Sequence, residues 1–335
     1  MNTIRIGIIG CGGISRGHGR HFRKVPGVKI CAVADPSEKS IASFLEQGME
    51  GTPLDAVYSD HRHMLDKEKL DGVLIASPHT LHFEHAKYSL EKGCHVLVEK
   101  PMVTSTKDAV RLLDLRDQTK KTLSVAFPGP FSREFAFVRQ LISRGGIGTI
   151  RLITGYVCQN WTPYAIGKWR GNPKLSGGGQ SYDSGAHMFN ALLYLSGLEV
   201  EEVYAMTNNL DLEVDVIASV NIRFRGGALG TAAVSGDCIN FDHGIFINGT
   251  KGSIKTGIYG GPLQYWDGNE LAQSLDLPER TGIHQNFIDC IRGSDTTPSP
   301  GELGLQQAQL MDALYASAES GKPVRIPENI HSRMG

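Results

Sequence analysis

Two side chains that can move protons, Asp183 and His187, lie four residues apart, shortly after three consecutive glycines at residues 177–179. Positions i and i+4 share one face of a helix, so this carboxylate and this imidazole can point at the same spot. A neighbouring carboxylate fixes the imidazole tautomer and raises its basicity, which suits a proton acceptor near neutral pH. The glycines indicate a close approach of the backbone to another group. A purely structural alternative stays open, in which Asp183 caps a helix and His187 is a half-buried spacer.

A second chemical feature is a glycine-rich turn near the start of the chain. Residues 4–9 form an apolar strand pattern, Gly10-Cys11-Gly12-Gly13 follows, and residues 16–24 have a helical pattern. Such glycines let the backbone approach a pyrophosphate, and the start of the helix supplies free N–H groups and positive potential. Ser15 occupies the third glycine position of the dinucleotide-binding fingerprint, so the pattern is G-x-G-x-x-S. It predicts a dinucleotide site whose contacts are Gly10, Gly12, Gly13 and Ile14.

Asp35 indicates which dinucleotide binds. It ends the apolar, β-rich run at residues 28–34, roughly twenty residues beyond the glycines, where an acidic side chain accepts hydrogen bonds from the adenosine ribose and repels a 2′-phosphate. Residues 36–38 contain no arginine that could bind such a phosphate. The sequence therefore favours NAD over NADP. The alternative that Asp35 only caps the helix at residues 37–47 stays open.

Strands and helices go on alternating through the first part of the chain. Strand patterns at residues 71–76, 95–98 and 122–127 are separated by helical patterns at residues 81–92 and 105–119. This alternation predicts a doubly wound parallel sheet, and such sheets bind ligands beyond the carboxyl ends of their strands. The residues at those ends are Gly10 to Gly13, Asp35, Ser77, Pro78, Glu99, Lys100, Pro101, Phe127 and Pro128.

Lys100 is the reactive side chain of this sheet edge. It follows the strand at residues 95–98, where the nicotinamide end of a dinucleotide is expected. An ammonium group at that place can hold a substrate hydroxyl and help to move its proton. The alternative is a lysine that only faces solvent.

The overall composition excludes several classes of protein. The chain has 335 residues, with 34 Lys and Arg against 35 Asp and Glu. This length suits two domains, and the charge balance argues against nucleic acid as a main partner and against a polybasic membrane surface. No run approaches the length of a membrane span, and the first residues lack the pattern of a secretory signal, so we expect a cytoplasmic protein.

The cysteine and histidine patterns do not indicate a metal site. The six cysteines are scattered without a C-x-x-C pair, and buried reduced thiols are expected. Histidines recur at three-residue spacing, but no carboxylate or cysteine lies at standard ligand spacing from them. These histidines are His18 and His21, and His79, His82 and His85. We predict no bound metal.

Five segments together resemble the Gfo/Idh/MocA oxidoreductases, a family that includes inositol dehydrogenases and glucose–fructose oxidoreductase. They are Gly10-Cys11-Gly12-Gly13-Ile14, Ser77-Pro78-His79-Thr80-Leu81-His82, Glu99-Lys100-Pro101, Trp169-Arg170, and residues 177–187 with Asp183 and His187. The resemblance covers nearly the whole chain, and its specific part is Glu-Lys-Pro combined with Asp-x-x-x-His. The further cofactor contacts that it implies are Ser77, Pro78, His82, Glu99, Lys100, Trp169 and Arg170.

The resemblance implies an α/β Rossmann domain at residues 1–127, followed by an α+β domain at residues 128–335. The second domain would carry a large, mostly antiparallel sheet that is open on one face. The strand patterns that agree with it lie at residues 149–157, 200–208, 214–223, 228–235, 244–249, 253–256 and 263–267. Helical patterns flank them near residues 183–195 and 284–292. In the family the open face commonly pairs with another subunit, which implies a homodimer or homotetramer.

By resemblance, Lys100, Asp183 and His187 form the catalytic site of an NAD-dependent dehydrogenase. A hydride passes from a carbinol carbon of a sugar, glycoside or inositol to the nicotinamide, while His187 takes the hydroxyl proton. Asp183 orients His187 and stabilises its charge, and Lys100 hydrogen-bonds the reacting oxygen. Trp169 and Arg170 lie near the nicotinamide in this scheme. Core packing of Trp169 and a surface ion pair of Arg170 are the alternatives.

The segment Pro128-Gly129-Pro130 departs from the family, whose members often carry an arginine or another polar side chain there. It offers no side-chain donor, so the substrate contacts expected there must be missing or moved. Asn190 likewise stands where many relatives have an aspartate. The further substrate contacts that the resemblance suggests are Tyr156, Gln159 and Asn160, and His284, which begins a helical pattern, is a further candidate.

Two other functions stay open. A redox-neutral lyase or glycosidase of the same family would recycle its bound NAD, so that free NADH accumulates only with a dehydrogenase. A non-catalytic sugar or dinucleotide sensor is the other alternative. A sensor has no need to keep Lys100, Asp183 and His187 together, which speaks against it.

Overall fold

A computed structural model describes residues 3–328, and their contacts divide them into two units. The first unit comprises residues 3–103, Lys107–Ala126 and Thr281–Gly301. The second comprises Thr104–Thr106, Phe127–Arg280 and residues 302–328. No helix in the described part of the chain is long and apolar enough to cross a membrane.

The first unit is built on a parallel sheet of six short strands. They are β1 (Ile4–Ile9), β2 (Val28–Ala34), β3 (Ala56–Tyr58), β4 (Gly72–Ile75), β5 (His95–Val98) and β6 (Leu123–Val125). All neighbouring strands pair in parallel, in the order β3-β2-β1-β4-β5-β6 that dinucleotide-binding sheets adopt. The central strand β4 is buried along its whole length, which explains its continuous apolar sequence. The predicted doubly wound sheet is thus confirmed.

Five helices connect these strands. They are α1 (Gly13–Phe22), α2 (Glu38–Gln47), α3 (His61–Lys67), α4 (His82–Glu91) and α5 (Thr106–Thr119). A short 3₁₀ turn at His79–Leu81 precedes α4. The sequence patterns predicted four of these helices within a few residues. They missed β3 and α3, because a three-residue strand and a seven-residue helix are too short to show a period.

The second unit is built on a nine-stranded sheet. Its strands are β7 (Ile150–Asn160), β8 (Val200–Asn208), β9 (Ile217–Phe224), β10 (Leu229–Ser235), β11 (Asp237–Gly249), β12 (Gly252–Thr256), β13 (Gln264–Asp267), β14 (Glu270–Leu271) and β15 (Val324–Arg325). The order is β14-β13-β12-β11-β7-β10-β9-β8-β15. Only β7 and β10 pair in parallel within it, so the predicted mostly antiparallel sheet is confirmed.

The helix α9 (Ser184–Ser196) packs on β7 and β11 of this sheet, and α6 (Arg133–Ser143) packs on α9. The short helices α7 (Thr162–Ala165) and α8 (Pro173–Ser176) lie between β7 and α9 in the chain. Residues of β9 alternate strictly between exposed and buried, and the buried set joins the α9 side chains in one core cluster. Within residues 3–328 the opposite face of the sheet is therefore left open, as the resemblance implies.

The segment Thr281–Gly301 returns to the first unit, which differs from the simple division at residue 127. Its helix α10 (Ile283–Ile291) buries Phe287 and Ile288 in the core cluster of the first unit. The Phe287 ring lies 6.4 Å from the Phe22 ring. After it, α11 (Gly301–Ser320) belongs mainly to the second unit. Hydrophobic periodicity indicates that α10 has a buried face but carries no information about which core receives it.

We expect Phe287→Ala to destabilise the first unit by about 3–5 kcal/mol, because a fully buried ring is lost there. Hydrogen exchange measured by mass spectrometry should then speed up in β1 and β4. The matched control is Phe224→Ala, an equally buried phenylalanine in the core of the second unit, which should speed up exchange in β9 and β10. Faster exchange mainly in β9 and β10 of the Phe287 variant would contradict the assignment of α10.

Candidate functional site

The glycine turn of the first unit leaves open space beside free backbone donors. Gly10 has a φ of 92°, and a Cβ on it would lie 2.6 Å from the carbonyl carbon of Ala76, so only glycine fits. Added Cβ atoms at Gly12 and Gly13 would meet nothing within 4 Å. No side chain caps the start of α1, so its first N–H groups face this space. The arrangement fits the pyrophosphate of a dinucleotide.

Ser15 replaces the third glycine without obstructing the turn. Its side chain is fully buried, and its hydroxyl donates a hydrogen bond of 2.7 Å to the carbonyl oxygen of Gly12. The serine at this position therefore stabilises the turn by a buried hydrogen bond. The neighbouring Ile14 side chain is 54% exposed and is available to cover a bound cofactor.

Asp35 is held at the end of β2 by two backbone donors. Its Oδ2 accepts from the N–H of Cys11 at 2.7 Å, and its Oδ1 accepts from the N–H of Ser37 at 2.8 Å. The side-chain cap of α2 is Ser37, which accepts from the N–H of Ser40. A carboxylate can accept about four hydrogen bonds, so acceptor positions remain for ribose hydroxyls. The geometry fits the predicted role in NAD binding better than a role as helix cap.

The carboxyl ends of β4 and β5 bring together the other predicted residues of the first unit. Ser77 and Pro78 follow β4, and Glu99 and Lys100 follow β5, which pairs with β4 in parallel. The Ser77 hydroxyl lies 2.9 Å from Nδ1 of His85. Parallel pairing thus places these residues at one sheet edge, as the sequence predicts.

His82 does not meet the requirements of a direct cofactor contact. Its ring is 0% exposed, with Nδ1 2.7 Å from the carbonyl oxygen of Pro101 and Nε2 2.8 Å from that of Ser77. Both ring nitrogens are therefore engaged by the protein. The predicted contact is corrected, because the ring joins two backbone segments and offers no atom to a ligand.

His284 lies in the first unit within a cluster of aromatic rings. Its Nε2 is 2.8 Å from Nδ1 of His18, and its ring stacks on His21 at 4.9 Å. Burial, followed by the charges of His18 and His21, lowers the pKa of His284 to about 2, so the ring is neutral near pH 7. Its suggested role in substrate binding stays a prediction.

His18 extends this cluster to the Glu-Lys-Pro motif. Its Nε2 lies 2.7 Å from Oε1 of Glu99, and the other oxygen of Glu99 accepts from the N–H of Lys100 at 3.1 Å. The Glu99 carboxylate is thus held between helix α1 and the backbone of Lys100. In the sequence, His18 stands out only by its three-residue spacing from His21. Among residues 3–328, no group of three or more His, Cys, Asp or Glu could hold a metal ion.

In the second unit, Asp183 is a buried carboxylate with strong donors around it. Its Oδ2 accepts from Nε1 of Trp161 at 2.8 Å and from Nε of Arg170 at 2.7 Å. The Arg170 guanidinium in turn lies 4.4 Å from the centre of the Trp169 ring. Asp183 stands immediately before α9 and not within it. Arg170 thus forms an ion pair with Asp183, and its predicted cofactor contact stays a prediction together with that of Trp169.

His187, one turn into α9, is enclosed by aromatic rings. The Phe127 ring lies 5.9 Å from it and the Tyr259 ring 4.9 Å, both at steep angles. Burial, with the charge of Asp183, raises the pKa of Tyr259 to about 12, so this phenol keeps its proton near pH 7. Tyr259 and its neighbour His243, 5.4 Å away, cannot be recognised from the sequence, because they follow or lie in strands that carry no motif.

Two of the three glycines before Asp183 are explained by packing inside the second unit. A Cβ on Gly178 would collide with the Tyr315 hydroxyl, and one on Gly179 with the carbonyl oxygen of Asp215. The Asp215 carboxylate accepts from the N–H groups of Gly179 at 2.7 Å and Ser181 at 3.0 Å, and from the Tyr315 hydroxyl at 2.6 Å. The close approach indicated by the glycines is thus to Asp215 and Tyr315.

The three suggested substrate residues on β7 do not share one face. Gly155 and Val157 face the core, where Gly155 approaches Met188 of α9. Side chains alternate along a strand, so Gln159 lies on the α9 side. Tyr156 and Asn160 lie on the open side, where the Tyr156 hydroxyl donates to Asp242 at 3.2 Å. Tyr156 and Asn160 thus lie on the face opposite α9, and the suggested substrate contacts of Tyr156, Gln159 and Asn160 stay predictions.

The family-specific departures are buried. Pro128 precedes a 3₁₀ turn at Gly129–Phe131, and these three residues are buried. Asn190 is 1% exposed within α9. Neither position presents a polar side chain on the surface of the second unit.

Family models match both parts of the chain. The model described as "Oxidoreductase family, NAD-binding Rossmann fold" matches residues 4–127, and "GFO/IDH/MocA C-terminal domain" matches residues 135–255. D-glucoside 3-dehydrogenase of Escherichia coli strain K12 is 26% identical over 97% of this chain and 98% of its own length. Myo-inositol 2-dehydrogenase of Thermotoga maritima is 28% identical over 75% of this chain and 74% of its own length.

A solved structure extends the similarity to three dimensions. The WlbA dehydrogenase from Bordetella pertussis, in complex with NADH and UDP-GlcNAcA, is 26% identical. The superposition covers 98% of this chain and 100% of that chain, with a TM-score of 0.84.

We expect Asp35→Ala to reduce the preference for NADH over NADPH by about tenfold or more, because a charged hydrogen-bond acceptor for the ribose is lost. Dissociation constants of both cofactors, measured by fluorescence, test this. The control is Ser37→Ala, which removes the side-chain cap of α2 and should leave the preference unchanged. An equal change of this preference in both variants would show that Asp35 affects cofactor binding only through the start of α2.

Proposed function

Because the chain belongs to the GFO/IDH/MocA family of NAD-binding oxidoreductases, we propose that it oxidises a secondary alcohol of a sugar, glycoside or inositol. The observation that carries this proposal is the buried Asp183 carboxylate, held by Trp161 and Arg170 one helical turn before His187. The names of the relatives, a glucoside dehydrogenase and an inositol dehydrogenase, support a polyhydroxylated ring as substrate.

The proposal gives His187 the role of general base. Its imidazole accepts the proton of the substrate hydroxyl, and the Phe127 and Tyr259 rings restrict its rotation. The negative charge of Asp183 stabilises the imidazolium that results. Lys100 donates a hydrogen bond to the oxygen that becomes the carbonyl. NAD, which the glycine turn and Asp35 would hold, would supply the acceptor for the hydride of the carbinol carbon and so balance the two-electron oxidation.

We expect His187→Asn to lower kcat by about 100-fold or more, because the amide cannot accept the proton. The dissociation constant of NADH should stay unchanged. NADH formation from a panel of sugars, methyl glycosides and inositols provides the assay, and free NADH also distinguishes a dehydrogenase from an enzyme that recycles its cofactor. The control is His63→Asn, an exposed histidine on α3. Loss of NADH binding comparable to the loss of turnover would contradict the role of base.

We further propose that the open sheet face of the second unit joins two or four copies of the chain. Large apolar side chains on this face are exposed, among them Leu152, Met206, Ile217 and Leu229. Leu229 lies opposite Leu152, and Met206 lies opposite Ser219 on the same face. A flat exposed face with such side chains favours association.

We expect Met206→Lys combined with Leu229→Lys to lower the mass of the assembly in analytical ultracentrifugation to that of one chain, because two charges would be buried in the interface. The control is Val57→Lys, an exposed apolar residue of the first unit. An oligomer of unchanged mass in the double variant would contradict the open face as interface.

We propose the cytoplasm as the compartment. All six cysteines are free thiols, and four of them are buried, which suits a reducing environment.

A further inference from the structure

The ring of His82 joins the backbones that follow two neighbouring strands. Its Nε2 lies 2.8 Å from the carbonyl oxygen of Ser77, just after β4, and its Nδ1 lies 2.7 Å from the carbonyl oxygen of Pro101, just after β5. Lys100 directly precedes Pro101. Both distances are in the normal range for hydrogen bonds, and the ring is 0% exposed.

Two carbonyl partners determine the protonation of this ring. A carbonyl oxygen only accepts, so each ring nitrogen has to donate. A neutral imidazole carries a single N–H, which would leave one nitrogen lone pair facing a carbonyl lone pair in a dry site. An imidazolium carries two N–H groups and satisfies both carbonyls with charge-assisted hydrogen bonds.

The surroundings of the ring contain charges of both signs. Taken together, these groups lower the pKa of His82 from its ordinary value, with burial as the largest cause and the charge of Lys100 acting in the same direction. The two carbonyls and the carboxylate of Glu99 oppose this shift, and the neutral ring that a lowered pKa gives would leave one carbonyl facing a nitrogen lone pair. The other titratable rings nearby are His79, 5.9 Å away, and His85, whose own pKa burial lowers to about 3, so that it adds no positive charge.

We propose that His82 is a buried imidazolium and a positioning residue that fixes the backbone of Lys100 through Pro101. The Glu99 carboxylate, itself held by His18, supplies the opposite charge on the other side of Lys100. The segment that carries Lys100 is thereby held from both sides by buried groups. This role adds to the function proposed above, and it rests on that function only because the function gives Lys100 a part in the reaction.

The protonation state is tested on the wild-type chain without any substrate. Neutron diffraction from crystals of the perdeuterated protein at pH 8 locates the hydrogen isotopes on the ring, well above the ordinary histidine pKa of about 6.5. We expect deuterium on both Nδ1 and Nε2 of His82. Deuterium on only one nitrogen would overturn the proposal, whatever reaction the protein catalyses.

The positioning role is tested by two amide substitutions, each of which keeps one of the two hydrogen bonds that the His82 ring makes. The amide nitrogen of His82→Asn can replace Nδ1 and still donate to Pro101, whereas that of His82→Gln can replace Nε2 and donate to Ser77. We expect kcat to fall about tenfold or more in His82→Gln, because this variant loses the hydrogen bond to Pro101 and the free energy lost with a charged hydrogen bond is large. The fall should be clearly smaller in His82→Asn, which keeps a donor to Pro101. The dissociation constant of NADH should be unchanged in both.

The control is His95→Gln, a histidine at the opposite end of β5 that faces Thr122 and should keep wild-type turnover. Equal losses of kcat in the two His82 variants, or a loss that follows weakened NADH binding, would overturn the positioning role. If neither variant folds, the neutron result on the wild type still decides the protonation state. Absence of turnover in the wild type would count against the proposed function and not against the imidazolium.

Discussion

Two carboxylates buried in the second unit, Asp183 and Asp215, must each be met by hydrogen-bond donors, because an unpaired buried charge is strongly destabilising. Asp215 takes the N–H groups of residues 179 and 181 together with the Tyr315 hydroxyl. Asp183 takes the Trp161 indole and the Arg170 guanidinium. These contacts fix both ends of the short segment that leads into α9. The direction in which α9 presents His187 depends on them.

In the first unit, side chains likewise supply the hydrogen bonds that hold the backbone at the edge of the parallel sheet. Loops at the carboxyl ends of strands have few backbone partners of their own, so side chains must hold them. Asp35 binds the N–H groups of Cys11 and Ser37, His18 holds Glu99, and His82 joins the carbonyls of residues 77 and 101. These residues keep the edge in shape for a dinucleotide. They are as important for the site as the residues that would touch a ligand.

Much of this organisation could be predicted from the sequence, because it depends on local patterns. The alternation of strands and helices predicted the parallel sheet, and the glycine turn followed by Asp35 predicted its ligand-binding edge. The spacing of Asp183 and His187 marks them as a candidate pair, and the resemblance to a family adds the catalytic role that stays a prediction. Each of these features is a relation between residues close together in the chain, which periodicity and turn chemistry can reveal.

The contacts that could not be predicted join residues far apart in the chain. Tyr259 meets His187 across 72 positions, and Asp215 meets the glycines across 36. Nothing in the short sequence around Tyr259 or Asp215 marks either as special. The same limit explains why the sequence alone predicts α10 in the second domain and His82 as a cofactor contact. The family motif marks its position, but only the distances to two carbonyls reveal its role.

In the proposed reaction a hydride passes directly from a carbinol carbon of the substrate to NAD. The most direct measurement incubates the protein with NAD and a panel of ring-deuterated sugars, methyl glycosides and inositols, and follows the nicotinamide by absorbance and mass spectrometry. If the hydride is transferred directly, at least one compound yields free reduced cofactor that carries the deuterium. Reduced cofactor without deuterium, or no reduction by any of these compounds, would contradict the proposed reaction.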